Sequence, residues 1–209
     1  MAQFFAIHPE NPQRRLIQQA ADAIRAGGTV VIPTDSGYAL SCALENKSGV
    51  DVIRQMRRLD DKHNFTLLCR DLSEISVYAR LENQEYRMLK AYTPGTYTFI
   101  LKATREVPRR LLHPKRKQIG IRVPDNLIAL DLLANLGEPL MTSTLMLPGD
   151  NLPMTDPCEI NDVLGHQVSV VVDGGFCGSE GTTVIDLTGE LPIVVRQGAG
   201  DASAFSELG

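Results

Sequence analysis

The residues best suited to chemistry follow a short apolar segment near the N-terminus. Thr29 to Ile32 are typical of a buried strand that stops at Pro33, which has no N–H for a β-ladder. Thr34 to Tyr38 then supply two hydroxyls, a carboxylate, a glycine and an aromatic ring. Open α/β sheets bind ligands at the carboxyl ends of strands, where hydroxyls and N–H groups hold oxyanions and glycine permits close approach. An ordinary strand-to-loop turn is the alternative interpretation.

A basic run between residues 105 and 122 is the second feature. It holds seven basic residues and one acidic residue, and its last member, Arg122, falls in a predicted strand from Ile119 to Val123. Such a run attracts polyanions, although a solvated loop is the commoner explanation. A strand arginine between apolar residues needs a partner if its side chain faces inward. We therefore expect Arg122 and the loop after Pro33 to line one cavity.

Composition and charge limit the function further. The chain has 209 residues, of which 43% are hydrophobic and 22% charged, so it is neither disordered nor fibrous. The net charge is −4, and the last 60 residues carry ten acidic residues against one basic residue. The first 149 residues carry 20 basic and 15 acidic residues, so any polyanion must bind locally in that part of the chain.

The lack of targeting signals and the spacing of the cysteines predict a cytoplasmic protein. No apolar run approaches about 18 residues, and the N-terminus has no basic segment followed by an apolar one, so we expect neither a membrane anchor nor a signal peptide. The four cysteines, Cys42, Cys69, Cys158 and Cys177, form no CxxC pair, which favours reduced thiols and no metal site. Cys42 and Cys69 lie in or beside apolar strands and are expected in the core.

Helix signals recur along the chain. Capping patterns predict helix starts at Asn11 with Pro12, at Ser48, at Ser73 and at Asn83. The helices after Ser73 and Asn83 should reach about Ala79 and Tyr92. A later helix from about Leu127 ends at Gly137, and two short ones are predicted at 107–112 and 159–164.

Strand signals alternate with these helices. The predicted strands are residues 65–69, 97–102, 119–123, 139–144, 168–172, 182–187 and 193–196, and the last two form a hairpin through Thr188-Gly189-Glu190. We predict one α/β domain over residues 1–200 with a twisted, open, mixed parallel and antiparallel sheet, and a C-terminal tail at 201–209. Gly198 to Gly200 and the tail are expected to be peripheral.

Five stretches together resemble the YrdC/YciO family, the threonylcarbamoyl-AMP synthase family. They are residues 33–40, 94–102, 120–124, 182–188 and 195–200, which follow one another in the family's order across nearly the whole chain. Residues 63–74 are similar to the YciO branch of the family. The resemblance implies a fold similar to dihydroxybutanone-phosphate synthase, with a large, concave, positively charged face on the sheet.

The resemblance also implies an activity and a site. Synthases of this family join ATP, bicarbonate and threonine into threonylcarbamoyl-AMP for the modification of tRNA. They are nucleotidyltransferases that use ATP as a substrate, with Mg²⁺ as its companion ion, and hold no tightly bound cofactor. The nucleotide- and substrate-binding positions carried over from the family are Thr34, Ser36, Tyr38, Arg57, Arg58, Arg122, Ser143, Thr182, Thr183 and Arg196.

Two family motifs are degenerate in this chain. The Lys-x-Arg that contacts the triphosphate corresponds to Arg57-Arg58-Leu59-Asp60, so the lysine falls on Arg57 or Arg58 and the arginine on Leu59 or Asp60. Ser-x-Asn reads Ser143-Thr144-Leu145, which predicts a more apolar wall. Loss of one cation should cost about 1–3 kcal/mol of nucleotide affinity. We therefore expect weak synthase activity.

Three functions remain open at this stage. The chain is a weak threonylcarbamoyl-AMP synthase, a non-catalytic module for double-stranded RNA or tRNA, or a nucleotide-dependent enzyme with another substrate. The candidate RNA-binding residues are Arg54, Arg109, Arg110, Lys115, Arg116 and Lys117. Aromatic residues make up only 5% of the chain, which favours contacts to the RNA backbone over base stacking. His63 is a weaker candidate acid or base, because the sequence shows no partner for it.

Overall fold

The computed structural model describes residues 1–60, 63, 65–112 and 115–206. They form one α/β domain with a single mixed sheet, as predicted. Three predictions fall partly outside the described residues: the similarity of residues 63–74 to the YciO branch, the basic run between residues 105 and 122, and the end of the 201–209 tail. No helix of the described residues is both long enough and apolar enough to cross a membrane.

Ten strands build the sheet. In chain order they are β1 (Gln3–Ala6), β2 (Val30–Thr34), β3 (Gly37–Ala43), β4 (Thr66–Leu68), β5 (Tyr97–Lys102), β6 (Gln118–Arg122), β7 (Leu140–Thr144), β8 (Val170–Asp173), β9 (Thr183–Asp186) and β10 (Ile193–Arg196). The order across the sheet is β1-β8-β2-β3-β7-β4-β6-β5-β9-β10. The pairs β1/β8, β2/β8, β4/β6 and β5/β9 are parallel, and the other five pairs are antiparallel.

The helices are α1 (Arg14–Arg25), α2 (Lys47–Arg57), α3 (Leu72–Tyr78), α4 (Asn83–Tyr92), α5 (Leu127–Leu136), α6 (Pro157–Leu164) and α7 (Ser203–Ser206). The short helix predicted at 107–112 is a single 3-10 turn, Arg109–Leu111. The C-terminal signal of α5 is confirmed, because Gly137 follows the helix with a φ of 74°, in the left-handed region that favours glycine.

The predicted helix starts are wrong by one or two residues. The N-caps of α1 to α4 are Gln13, Asn46, Asp71 and Glu82. Asn46 Oδ1 accepts from the N–H of Gly49 at 2.9 Å, and Ser48 falls inside the first turn, where its hydroxyl donates to that same amide oxygen. Several polar side chains near a helix start can accept hydrogen bonds from its first free N–H groups. The backbone geometry determines which of them is the N-cap.

The first predicted strand also extends beyond its expected end. β2 runs through Pro33 to Thr34 and pairs with β3 as a hairpin that was not predicted as such. Pro33 lies opposite Tyr38, whose carbonyl accepts from the N–H of Leu145 on the other side of β3. The pair of Pro33 and Tyr38 is therefore one that exchanges no ladder hydrogen bonds, and the missing N–H of proline is not needed there.

The two chain ends depart from expectation as well. β1 was not predicted, and it adds a parallel edge strand to β8. The tail was expected to be peripheral, but Phe205 is 2% exposed and packs on the rings of Tyr92, Tyr97 and Phe99. An aromatic side chain this large contributes substantially to a core wherever it occurs along the chain.

The two faces of the sheet are covered unequally. One face packs against α2, α3, α4, α6 and α7 through the larger core cluster, which includes Ile53, Ile75, Leu89 and Ile160. On the other face α1 and α5 cover β2, β3 and β8. In the part of the chain that the structure describes, no helix covers the same face of β6, β5 and β9, and side chains of this face line a cavity together with those of β4. The site therefore lies where the second helical layer ends.

Candidate functional site

A cavity of about 490 Å³ occupies the uncovered face of the sheet. That volume lies in the range of small-molecule sites. Alternation along the strands decides which side chains reach it. In β6, Ile119 and Ile121 enter the core, whereas Gly120 and Arg122 face the cavity. A Cβ on Gly120 would lie 3.0 Å from Thr66 Oγ1, so a side chain at this position would crowd the floor of the cavity.

The β2–β3 hairpin supplies one corner of the cavity. Thr34 donates its hydroxyl to the carbonyl of Gly37 at 2.6 Å, and its Oγ1 lies 3.3 Å from Ser36 Oγ. Arg122 reaches this turn from β6: Nη1 donates to Ser36 Oγ at 2.7 Å, and Nη2 donates to Asp35 Oδ1. Burial lowers the pKa of Arg122, and the Asp35 carboxylate counteracts that effect. The structure thus brings the first loop and Arg122 together.

Tyr38 contributes to the wall but not with its hydroxyl. The residue is fully buried, and its hydroxyl donates to the carbonyl of Gly175 at 2.7 Å and accepts from the N–H of Gly174 at 3.2 Å. Desolvation by burial raises the pKa of Tyr38, so the phenol stays neutral. These hydrogen bonds hold the segment after β8 against the hairpin. The hydroxyl thus makes its hydrogen bonds to backbone groups.

Arg57 brings a second guanidinium from the end of α2. Its Nη1 donates to Ser143 Oγ at 2.5 Å and its Nε donates to the carbonyl of Met146 at 3.2 Å. Burial lowers the pKa of Arg57. Arg58 is exposed, ends α2 with a φ of 51°, and is absent from the cavity lining. Of these two arginines, Arg57 therefore reaches the cavity.

The prediction for Leu145 is wrong. Its side chain is fully buried in the larger core cluster and does not belong to the cavity lining. The three residues before it, Thr142, Ser143 and Thr144, do line the cavity. Leu145 therefore does not make the cavity wall apolar.

Strands β5, β9 and β10 form the opposite side of the cavity. Thr98 Oγ1 and Thr182 Oγ1 lie 2.8 Å apart, and Arg196 Nη2 donates to the Thr182 carbonyl at 2.8 Å. Thr183 is fully buried instead: its hydroxyl donates to the carbonyl of Gly200 and accepts from the N–H of Gly198. Of this group, Thr98, Thr182 and Arg196 line the cavity, whereas Thr183 holds the turn after β10 in place.

Several residues of the site were missed or given little weight. Asp35, which pairs with Arg122 but is not among the residues that line the cavity, was named only as part of the loop, although a strand arginine that requires a partner was a signal for it. Thr98 carried no signal beyond its strand position. Gly198, expected to be peripheral, and Glu180 both line the cavity. His63 also lines it and packs edge-on against Phe65, with ring centres 5.4 Å apart.

Burial keeps the imidazole of His63 and the thiols of Cys42 and Cys69 in their neutral forms. Desolvation, together with Arg57 and Arg54, lowers the pKa of His63 to about 4, so the imidazole is neutral at pH 7. Cys42 and Cys69 are fully buried as predicted, and burial raises the pKa of Cys42 to about 12. No metal-binding group of three or more histidine, cysteine or acidic residues occurs in the part of the chain that the structure describes.

The candidate RNA-binding residues divide into two groups. Arg54 Nη1 donates to the carbonyl of Asp60 at 2.9 Å, and its guanidinium lies 4.9 Å from the centre of the Phe65 ring. Arg110 donates to the carbonyl of Leu44 and forms a 3.2 Å ion pair with Glu45. The exposed members are Arg109, Lys115, Arg116 and Lys117. Arg122, at the end of the same run, is inside the cavity and not on this surface.

Fold and site together define an α/β protein with a mixed sheet and an arginine- and hydroxyl-lined cavity on its open face. The Sua5/YciO/YrdC family model, described as telomere recombination, matches residues 22–198, and the chain belongs to this family. The uncharacterized protein YciO of Escherichia coli is 56% identical over 205 residues, covering 98% of this chain and all of that protein. Its crystal structure superposes with a TM-score of 0.95 over the same shares of the two chains.

More distant relatives include proteins named as threonylcarbamoyl-AMP synthases. The human threonylcarbamoyl-AMP synthase is 26% identical over 194 residues, which are 88% of this chain and 68% of that protein. The structure of P. abyssi Sua5 complexed with L-threonine has a TM-score of 0.88 at 24% identity and covers 98% of this chain and 60% of that one. This second likeness shows a shared fold.

Proposed function

We propose that the cavity binds ATP and a threonine-like amino acid, and that the chain is a slow enzyme of the threonylcarbamoyl-AMP synthase type. The observation that carries the proposal is the convergence of three arginines from different elements, Arg57, Arg122 and Arg196, on one hydroxyl-lined cavity. Guanidinium groups and hydroxyls are the donors that phosphate and carboxylate oxygens require. The homology to a threonylcarbamoyl-AMP synthase supports the same assignment.

The charges assign different tasks to the two sides of the cavity. Arg57 and Arg196 have no carboxylate partner in the hydrogen-bond and ion-pair network of the described residues, so they are the cations for phosphate. Arg122 is already paired with Asp35 and suits a ligand group of lower charge, such as the carboxylate of an amino acid. In the proposed reaction the amino group and bicarbonate form a carbamate with loss of water. The carbamate oxygen then attacks the α-phosphate, and pyrophosphate leaves.

Nucleotide binding should be weaker than in a family member with two basic residues after α2. Leu59 packs partly against the core, and the exposed Asp60 offers no cation. Loss of one phosphate contact is worth about 1–3 kcal/mol, or about five- to 150-fold in affinity. Turnover would fall because the same cation stabilises the departing pyrophosphate.

The decisive experiment is isothermal titration of Mg-ATP and of L-threonine, separately and together, followed by a pyrophosphate-release assay with bicarbonate. Arg57→Gln should lower ATP affinity at least fivefold, because it removes a cation from the cavity. Arg58→Gln is the matched control: it removes the same charge from the next residue, which lies outside the cavity. Absence of ATP binding to the wild type, or equal losses in both variants, would contradict the proposal.

A second candidate function is binding of folded RNA outside the cavity. The supporting observation is the four exposed basic side chains of Arg109, Lys115, Arg116 and Lys117 between β5 and β6. Counterion release makes such binding salt-dependent, with a slope of about −0.9 per phosphate contact for duplex DNA. We expect a duplex RNA and a tRNA to bind more weakly as salt rises, and a variant with these four residues neutralised to show a flatter slope. An unchanged slope contradicts RNA binding through this surface.

A further inference from the structure

His63 lies on the wall of the cavity, which it shares with Arg57. Among the described residues between α2 and β4 it is the one that reaches the cavity, since neither Leu59 nor Asp60 belongs to the lining. The segment after α2 therefore presents an imidazole to a ligand, next to the guanidinium at the end of the helix.

The imidazole is held by packing and not by hydrogen bonds. Its ring lies edge-on against the ring of Phe65, with centres 5.4 Å apart, and the guanidinium of Arg54 lies 4.9 Å from the centre of the same Phe65 ring. Among the described residues no hydrogen bond engages either ring nitrogen of His63. Polar atoms that are half-buried at a cavity wall and make no such bond are suited to a ligand.

The charges around His63 are mostly positive. Burial comes first in lowering its pKa to about 4, Arg57 and Arg54 of α2 lower it further, and Asp60 opposes them. The segment after β7 contributes three residues without a titratable side chain to the lining, Met146, Asn151 and Pro153. The remaining charged residues of the lining lie on other elements and are Arg122, Glu180 and Arg196. Without a ligand, His63 is therefore neutral at pH 7.

We propose that His63 takes up a proton when a polyphosphate binds in the cavity, and that the imidazolium is then a second cation beside Arg57. The proposal rests on the proposed function and adds control by pH to nucleotide binding. Phosphate oxygens drawn in by Arg57 bring negative charge to His63, which reverses the effect of the two arginines on its protonation. The proton comes from the solvent, and no bond of the ligand changes.

The size of the effect follows from the distance of a phosphate in contact with Arg57. One negative charge about 4 Å from the imidazole, at an effective dielectric of about 20, raises its pKa by about three, to about 7. Below that pH the bound form holds a proton that the free form lacks, so binding tightens as the pH falls. We expect Mg-ATP to bind about tenfold more tightly at pH 6 than at pH 8, with uptake of about half a proton per ligand at pH 7.

The test is isothermal titration of Mg-ATP at these two pH values, repeated at pH 7 in buffers of different ionisation enthalpy to measure proton uptake. His63→Gln should match the wild type at pH 8 and lose the gain at pH 6, apart from the share that the ligand itself contributes. His63→Arg carries a permanent charge and should bind at pH 8 about as tightly as the wild type at pH 6. His166→Gln is the matched control, because it removes an exposed imidazole outside the cavity and should leave the pH dependence unchanged.

A wild type whose affinity varies with pH no more than that of His63→Gln overturns the inference. Absence of proton uptake by the wild type at pH 7 does so too, and this measurement needs no variant to fold. Mg-pyrophosphate as a second probe separates the inference from the proposed function. Proton-linked binding of Mg-pyrophosphate without binding of Mg-ATP supports the inference and contradicts the proposed function. Binding of Mg-ATP without proton uptake leaves the proposed function intact and overturns the inference, and failure of both anions to bind overturns both.

Discussion

Leu145 gives the sharpest prediction that separates the structure from the family resemblance. Alignment alone suggests that Leu145→Asn restores a lost family contact and improves nucleotide binding. In the structure the Leu145 side chain is fully buried in the core and outside the cavity lining. Removal of a buried leucine forfeits about 2–3 kcal/mol of apolar burial, and an amide buried without a partner costs about 1–3 kcal/mol more. The expected loss of unfolding free energy is about 3–6 kcal/mol.

Urea denaturation of the wild type, Leu145→Asn and Leu145→Met measures this loss. The methionine variant is the control for shape, since volume-conserving core exchanges usually cost less than about 1.5 kcal/mol. Neither variant should bind Mg-ATP more tightly than the wild type in titrations under conditions where it is folded. A destabilisation of Leu145→Asn below about 1 kcal/mol, or a gain in its ATP affinity, would mean that residue 145 faces the ligand and that our placement is wrong.

Three further perturbations test other parts of the site. Tyr38→Phe leaves the backbone groups of Gly174 and Gly175 without their partner, and we expect a loss of about 1–3 kcal/mol in urea denaturation together with weaker ligand binding. Gly37→Ala should cost about 1–3 kcal/mol in the same assay, because φ is +128° and a Cβ would lie 2.9 Å from the Gly178 carbonyl oxygen. His63 has its pKa lowered to about 4, so between pH 6.5 and 4 the unfolded chain binds a proton that the folded chain does not. Stability should therefore fall as the pH drops through that window, and urea midpoints of His63→Gln should fall less over the same range.

The strands that bear the site were the most predictable part of the fold. β5 was predicted with its observed bounds, and β6 within one residue, because their apolar side chains recur with a period of two. The hairpin of β9 and β10 was also confirmed, since its turn residues separate two apolar runs. β1 and β3 were missed: β1 is a short edge strand, and β3 follows the turn so closely that its residues were taken for a loop.

The side-chain orientations could not be predicted to the same degree. Tyr38, Leu145 and Thr183 each occur in a stretch that resembles the family, yet each directs its side chain into the protein. A shift of one residue along a strand moves a side chain from one face to the other, and a motif match does not determine that register. The choice between Arg57 and Arg58 was open for a related reason, because it depends on where α2 ends.

The open half of the sheet explains why polar residues accumulate on strands that would otherwise be buried on both faces. Where α1 and α5 cover the sheet, β2 and β8 present valines and isoleucines. Beyond these two helices the cavity face of β4, β5 and β6 carries two threonines, a glycine and an arginine beside Leu68 and Ile100, and β9 adds Val184. The packed face of the same strands carries isoleucine, leucine and phenylalanine. Core packing on one face can therefore hold these strands in register. The cavity side chains are then not needed for core packing, and the nearly buried pair of Asp35 and Arg122 carries a desolvation penalty that the apolar half of the sheet does not.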